Sequence, residues 1–235
     1  VRLWQQGQKA MLQGHAEQAI SCYEESLRLD PALARNHLSL AAALLSEGQD
    51  ERAVPHLARY LEAQPDHLVI RAHYAELLQR LGRGQEAKAQ FVRFVADVQD
   101  HEELAREQLV HCHSRLMEIA QAEADGYGEH LHRGIGLYLL ARRRQELAAN
   151  EAGLSAETLL CKAAAELTLA RQERPDEARP WWYLYEVWTS LAQLQPASRC
   201  LRRAAAAAPL SYLTGAERRA LELARLGAAR DACHK

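Results

Sequence analysis

Residues 14–31 read GHAEQAISCYEESLRLDP, and residues 48–65 read GQDERAVPHLARYLEAQP. Both open on Gly, carry Ala five residues on and a large side chain four residues after that, and close on Pro: Gly14, Ala19, Tyr23 and Pro31 against Gly48, Ala53, Leu57 and Pro65. A third stretch, 82–99, keeps Gly82, Ala87 and Phe91 but ends on Gln99. The interval is 34 residues each time. Fixed-period self-similarity of this kind points to a repeat architecture. Gly at the end of one helix permits a backbone of positive φ where the chain turns. Ala at the crossing lets two helices approach closely, and Pro stops the second helix. Leu40, Leu44 and Leu45 form one apolar stripe and Ala53, Leu57 and Leu61 another, at helical spacing.

The interval returns near the C-terminus, in Ala163 and Ala197, Leu167 and Leu201, and Pro175 and Pro209. On these residues the chain resembles the tetratricopeptide repeat family, whose unit is a pair of helices. The closest stretches are Ala19-x3-Tyr23 with Leu27, Asp30 and Pro31, and Trp181-x2-Leu184-x3-Trp188 followed by Ala197, Leu201 and Pro209. The resemblance implies an all-α, right-handed solenoid of helix-turn-helix repeats with an irregular middle and a C-terminal capping helix.

The chain reads in three parts. Residues 1–101 hold three repeats, 1–33, 34–67 and 68–101. Residues 102–177 hold irregular long helices, including one extended repeat-like unit. Residues 178–235 hold one further repeat and the cap. In the middle part a helix is expected over 102–123, with a core stripe of Leu104, Leu109, Cys112, Leu116 and Ile119. Asp125-Gly126-Tyr127-Gly128 reads as a break, and a second helix follows over 129–150, where Ile135-Gly136 looks like a close-packed helix crossing. Asn150–Gly153 reads as a turn, and Ser155 with Thr158 as a helix cap. Thr214-Gly215-Ala216-Glu217 opens the last helix, with Glu217, Arg218, Arg219, Glu222 and Arg225 assigned to its polar outer face.

Composition narrows the function. The 235 residues carry 29 Lys plus Arg and 31 Asp plus Glu, a net charge of −2, which argues against holding nucleic acid through bulk charge. Charge is uneven: residues 1–125 hold 13 basic and 19 acidic side chains, and 126–235 hold 16 and 12. Arg142–Arg144 and Arg199 with Arg202 and Arg203 are the basic spots, read either as solvated faces or as docking points for an acidic partner segment. Five cysteines at wide spacing make neither a disulfide framework nor a structural zinc site. No apolar stretch is long enough for membrane insertion, and the cytoplasm is the default location, a removed leader being the alternative. No catalytic motif is present: no G-x-S-x-G, no phosphate loop, no H-E-x-x-H. No cofactor is expected.

The resemblance also implies a concave groove lined by the first helix of each repeat. The corresponding residues are Trp4, Gln8, Met11, Arg35, Leu38, Ala42, Leu45, Val69 and Glu76, then Arg179, Trp182 and Glu186. Chaperone-binding relatives hold a peptide's terminal carboxylates with Lys, Asn and Arg. The matching positions here are Trp4, Gln8, Ser39, Val69 and His73, so that clamp is absent. A mixed apolar groove suits a helix or peptide of a partner protein, with Trp4 and Trp182 as anchors. The reading is a non-catalytic scaffold or adaptor. An accessory domain of a larger enzyme is the alternative, and a metal- or ligand-sensing role rests only on His111, His113, His130 and His132, where His113 or His111 could meet His130 or His132.

Overall fold

The computed structural model describes the backbone of residues 2–98, 103–147, 154–207 and 213–233. Among these there are twelve helices and no strand: α1 (Arg2–Leu12), α2 (Ala16–Leu29), α3 (Ala34–Ser46), α4 (Asp50–Ala63), α5 (Leu68–Arg80), α6 (Gly84–Asp97), α7 (Glu103–Ala122), α8 (Gly126–Leu147), α9 (Ala156–Glu173), α10 (Ala178–Ser190), α11 (Leu194–Ala206) and α12 (Gly215–Cys233). The fold is all-α and built of helical hairpins. It divides into two compact units, Val1–Gln90 and Phe91–Lys235, with the boundary inside α6.

In the first unit the repeat residues do what their chemistry requires. Gly14, Gly48 and Gly82 take φ of +77°, +69° and +76° at the turns α1–α2, α3–α4 and α5–α6. Ala19, Ala53 and Ala87 are fully buried. Gly7 lies against the Tyr23 ring, where a Cβ would come within 2.5 Å of the ring edge. The α1–α2 crossing therefore needs glycine on one helix and an aromatic on the other. Asn36 Nδ2 donates to Ser26 Oγ at 2.7 Å, which satisfies a buried polar pair between α2 and α3.

The second unit keeps the turn but alters the helices. Ala124 and Ala192, 68 residues apart, take φ of +55° and +56° at the α7–α8 and α10–α11 turns. These are the positions at which glycine stood in the first unit, and the spacing is two repeat lengths. Ala124 follows Gly48 by 76 residues, eight more than two repeats, so the phase slips once between them. The break at 125–128 is a helix start: Asp125 Oδ1 accepts the Gly128 N–H at 3.1 Å, which caps α8 and puts Gly126 and Gly128 in its first turn. The same capping occurs at α9, where Thr158 N–H donates to Ser155 Oγ at 3.1 Å.

One long helix, α8, packs against both α7 and α9, the two most extensive pairings in the unit. Its close-packed glycine is Gly134 rather than Gly136. A Cβ at 134 would stand 2.7 Å from Leu167 Cγ on α9, whereas one at 136 would meet only His113 Cβ at 3.9 Å. The expected α7 stripe is buried at Leu109, Cys112, Leu116 and Ile119. The side chain of Leu104, the turn at 150–153, Gln99, His101 and Pro209 lie outside the described residues. Among the described residues no helix is long and apolar enough to cross a membrane, and Cys22, Cys112, Cys161 and Cys200 are free thiols.

Candidate partner-binding site

In the first unit none of the expected lining residues is fully buried. Gln8, Arg35 and Ala42 are exposed, and Trp4, Met11, Leu38, Leu45, Val69 and Glu76 are half-buried. Trp4 is held in place: its Nε1–H donates to Ser39 Oγ at 3.0 Å, and the Arg35 guanidinium lies 5.2 Å from the centre of its ring. An indole fixed by a hydrogen bond and a stacked cation is presented at little further entropic cost, which suits a contact residue.

The second unit places its three expected residues in a different environment. Trp182 is 5% exposed and packs with Ala178, Leu201, Ala204, Leu213 and Leu221. This corrects its assignment as an exposed anchor. The reason is that α12 folds over this face of α10 and covers the indole. Arg179 pairs with Glu217 at 3.0 Å, also in the interior. Glu186 accepts the Tyr138 hydroxyl proton at 2.6 Å.

Glu217 is the second correction. It is 8% exposed and lies in the core, not on an outer face. Its N–H donates to Thr214 Oγ1 at 3.1 Å while its Oε2 accepts the Thr214 N–H at 2.7 Å, a reciprocal cap on the start of α12. Oε2 also accepts from Arg179, and Oε1 accepts the Tyr183 hydroxyl at 3.0 Å. One carboxylate thus joins α10 to α12. Burial, reinforced by Glu217, pushes the Tyr183 phenol well up, and burial with Glu186 does the same to Tyr138. Both hydroxyls remain donors at neutral pH.

These groups surround a cavity of about 240 Å³. Its walls are Tyr138, Arg142, Trp182, Tyr183, Glu186 and Glu217, with apolar cover from Val95, Val98, Leu109 and Ala220 and one face of His113. A second cavity of about 460 Å³ shares Val95 and Thr214 with it and is lined by Tyr127, Arg174, Glu177 and Arg179 among others. Tyr127 donates to Glu177 at 2.8 Å, and Arg174 stands 4.2 Å from the centre of the Tyr127 ring. Sequence reading placed Arg179, Trp182 and Glu186 on one helix face, and they do line these cavities. It missed Tyr138 and Tyr183, and it gave Arg142 only as a basic spot and His113 only as a possible ligand-sensing histidine.

The histidines separate. His130 Nδ1 meets Glu166 Oε2 at 2.7 Å, whereas His113 Nδ1 meets His132 Nδ1 at 3.0 Å, so one ring donates and the other accepts. His37 and His56 in the α3–α4 hairpin make the same contact at 3.0 Å. Both pairs are 19 residues apart, with the left-handed turn residue (Gly48 or Ala124) eleven after the first histidine. That recurrence was available in the sequence and marks α7–α8 as a repeat-like hairpin. Among the described residues no three His, Cys, Asp or Glu side chains gather in a metal-binding group.

His113 is 2% exposed, and burial, with His132 and Arg179 nearby, lowers its pKa well below the usual 6.5. The folded state then holds His113 neutral where the unfolded chain would protonate it. Stability is therefore complete above about pH 6.5 and falls as pH drops below that value, by up to about 1.4 kcal/mol per pH unit from this group. Chemical unfolding between pH 7.5 and 5 should show this slope, and His113→Gln should flatten it. Equal slopes in both proteins would remove the pair as a source of acid sensitivity.

Two tetratricopeptide repeat models match the sequence, over residues 3–33 and 44–109. No curated protein matches it. Among solved structures, the chain is similar to MamA at 14% identity and a TM-score of 0.42, covering 84% of this chain and 91% of that one. It is also similar to PilF of Pseudomonas aeruginosa, at 15% identity and a TM-score of 0.40 over 86% and 88% of the two chains. A third is PilW, a type IV pilus biogenesis factor, at 16% identity and a TM-score of 0.40 over 92% and 95%. With the 34-residue period, the left-handed glycine turns and the buried crossing alanines already in place, the chain carries tetratricopeptide repeats over residues 3–33 and 44–109.

Proposed function

We propose that this protein is a non-catalytic scaffold that takes a peptide or helix of a partner protein on the face formed by the first helices of its repeats. Repeats of this family generally serve as protein-binding scaffolds. The observation that carries the finer reading is the α1–α3 face of the first unit. It carries a fixed Trp4 on α1 and the half-buried Leu38 and Leu45 on α3, with Arg35 and Gln8 as exposed polar groups. Rigid aromatic and aliphatic anchors ringed by polar groups are the composition of binding hot spots. In the second unit, the cavity beside Tyr138 and Glu186 adds a recess with polar groups on its wall.

The test is selection of a displayed random-peptide library against the whole chain, followed by affinity measurement on the winners. Leu38→Ala should weaken binding by about 1–3 kcal/mol, because half-buried leucines at such faces are contacts and not core. The helical circular dichroism spectrum and melting temperature should hold. Selected peptides indifferent to both Leu38→Ala and Trp4→Ala would place the partner elsewhere.

A further inference from the structure

We propose that the outer face of α11, with the adjoining turns of α12, is a second docking site, a furrow for an acidic amphipathic segment of a partner protein. The buried side of α11 is Ala197, Cys200, Leu201 and Ala204. The opposite side carries Arg199, Arg202 and Arg203, all exposed, and α12 adds the exposed Arg225. Two depressions follow this face, of about 410 and 390 Å³. The first runs between Leu194 and Arg199, the second between Ala205 on α11 and Ala228 on α12, with Arg225 at its edge. Arg202 borders both, so they form one furrow with arginine walls, floored by Gln195 and Ser198 toward Leu194 and by alanines toward α12.

Charge selects the occupant. The sequence of α11 contains no Asp or Glu. On α12, among the described side chains, Glu217 is turned inward to Arg179 and Glu222 is exposed, and neither lines the furrow. Among the described residues, Arg199, Arg202, Arg203 and Arg225 make no ion pair. The other basic spot behaves differently: Arg142 lies 3.8 Å from Glu146, Arg143 pairs with Glu107, and Arg144 donates to the Leu154 carbonyl. One arginine cluster is thus compensated locally and the other is not. The cations are all arginine, whose planar fork takes a carboxylate through two parallel hydrogen bonds.

The floor selects among anionic partners. It is an open depression of alanines with Ser198 and Gln195, and Leu194 at one end is 72% exposed. The alanines and Leu194 offer apolar contact to the side chains of a single peptide helix. A flat lipid surface or the convex backbone of a duplex would touch the arginines but leave the floor unfilled. No aromatic side chain lies along the furrow to stack a base. The matching segment therefore alternates carboxylates with aliphatic residues along one helical face. It would extend about 20 Å, the length of α11.

The furrow belongs to the second unit and the α1–α3 face to the first, and they share no residue, so the two readings stand or fall separately. A fluorescein-labelled peptide of about 16 residues, with Glu and Leu along one helical face, serves as the probe. Fluorescence anisotropy with the whole chain should show saturable binding that weakens as salt rises. The Arg199→Gln/Arg202→Gln/Arg225→Gln variant should lose about tenfold or more in affinity at unchanged helix content. An analogue with Gln for every Glu should not bind, and Leu38→Ala should leave the probe's affinity as it was. Phosphatidylserine vesicles and a DNA duplex should bind more weakly than the peptide. The proposal is overturned if the peptide does not bind, if the triple variant binds it equally, or if vesicles or DNA bind more tightly through the same arginines.

Discussion

Glu217→Ala is expected to destabilise the second unit by about 3–5 kcal/mol, the range for removing one partner of a buried charge pair. The substitution strands the Arg179 guanidinium, whose remaining surroundings are mostly protein. It also removes the acceptor of the Tyr183 hydroxyl and of the Thr214 N–H at the start of α12. Each lost partner leaves a half-buried donor unsatisfied, and such losses cost more than the bond itself contributes. Thermal or urea unfolding of the purified chain measures the effect. Arg179→Met combined with Glu217→Ala should be milder than Glu217→Ala alone, because no buried cation is left over. A loss under about 1 kcal/mol for the single variant would mean that the pair is solvated in solution, and the packing of α12 over α10 would have to be revised.

Trp182→Ala should cost about 3–5 kcal/mol of stability, the range for truncating a buried aromatic. The indole fills the space between α10, α11 and α12, bounded by Leu201, Ala204, Leu213 and Leu221, and meets Tyr185 at a ring distance of 5.3 Å. An alanine there leaves a void next to an existing cavity of about 240 Å³, which gives neighbouring side chains little reason to collapse inward. The contrast with Leu38→Ala is the informative part. The Leu38 change should act on binding with the fold intact, whereas the Trp182 change should act on the fold. Unchanged melting for Trp182→Ala would return Trp182 to the list of surface contacts.

The two residues were read by one argument and met two outcomes. Helical register assigns both Leu38 and Trp182 to the inner face of a first helix. Register is a local property, fixed by 3.6 residues per turn, and sequence periodicity reports it faithfully. Whether that face meets solvent depends on what packs over it. Above Trp182 lies α12, which comes 25 or more residues later in the chain. Glu217 shows the converse. Its place in a cap at the head of α12 was legible in Thr214-x-x-Glu217, but its burial was not, because the cation it neutralises lies 38 residues earlier.

The sequence by itself determined the all-α hairpin architecture, the 34-residue period and the turns. Each follows from a single residue's backbone or volume: glycine free to take positive φ, alanine small enough for a helix crossing, proline unable to continue a helix. It determined the same for the cap at Ser155 and the stripe along α7. Only the tertiary structure decided the double packing of α8 and which of the candidate histidines pair, His113 with His132 and His130 with Glu166. It alone buried Trp182 and Glu217 and left the arginines of α11 without a carboxylate among the described residues. These are outcomes of contacts between segments tens of residues apart. Their free energies depend on distance, burial and the neighbours' charge, quantities that exist only once the helices are stacked.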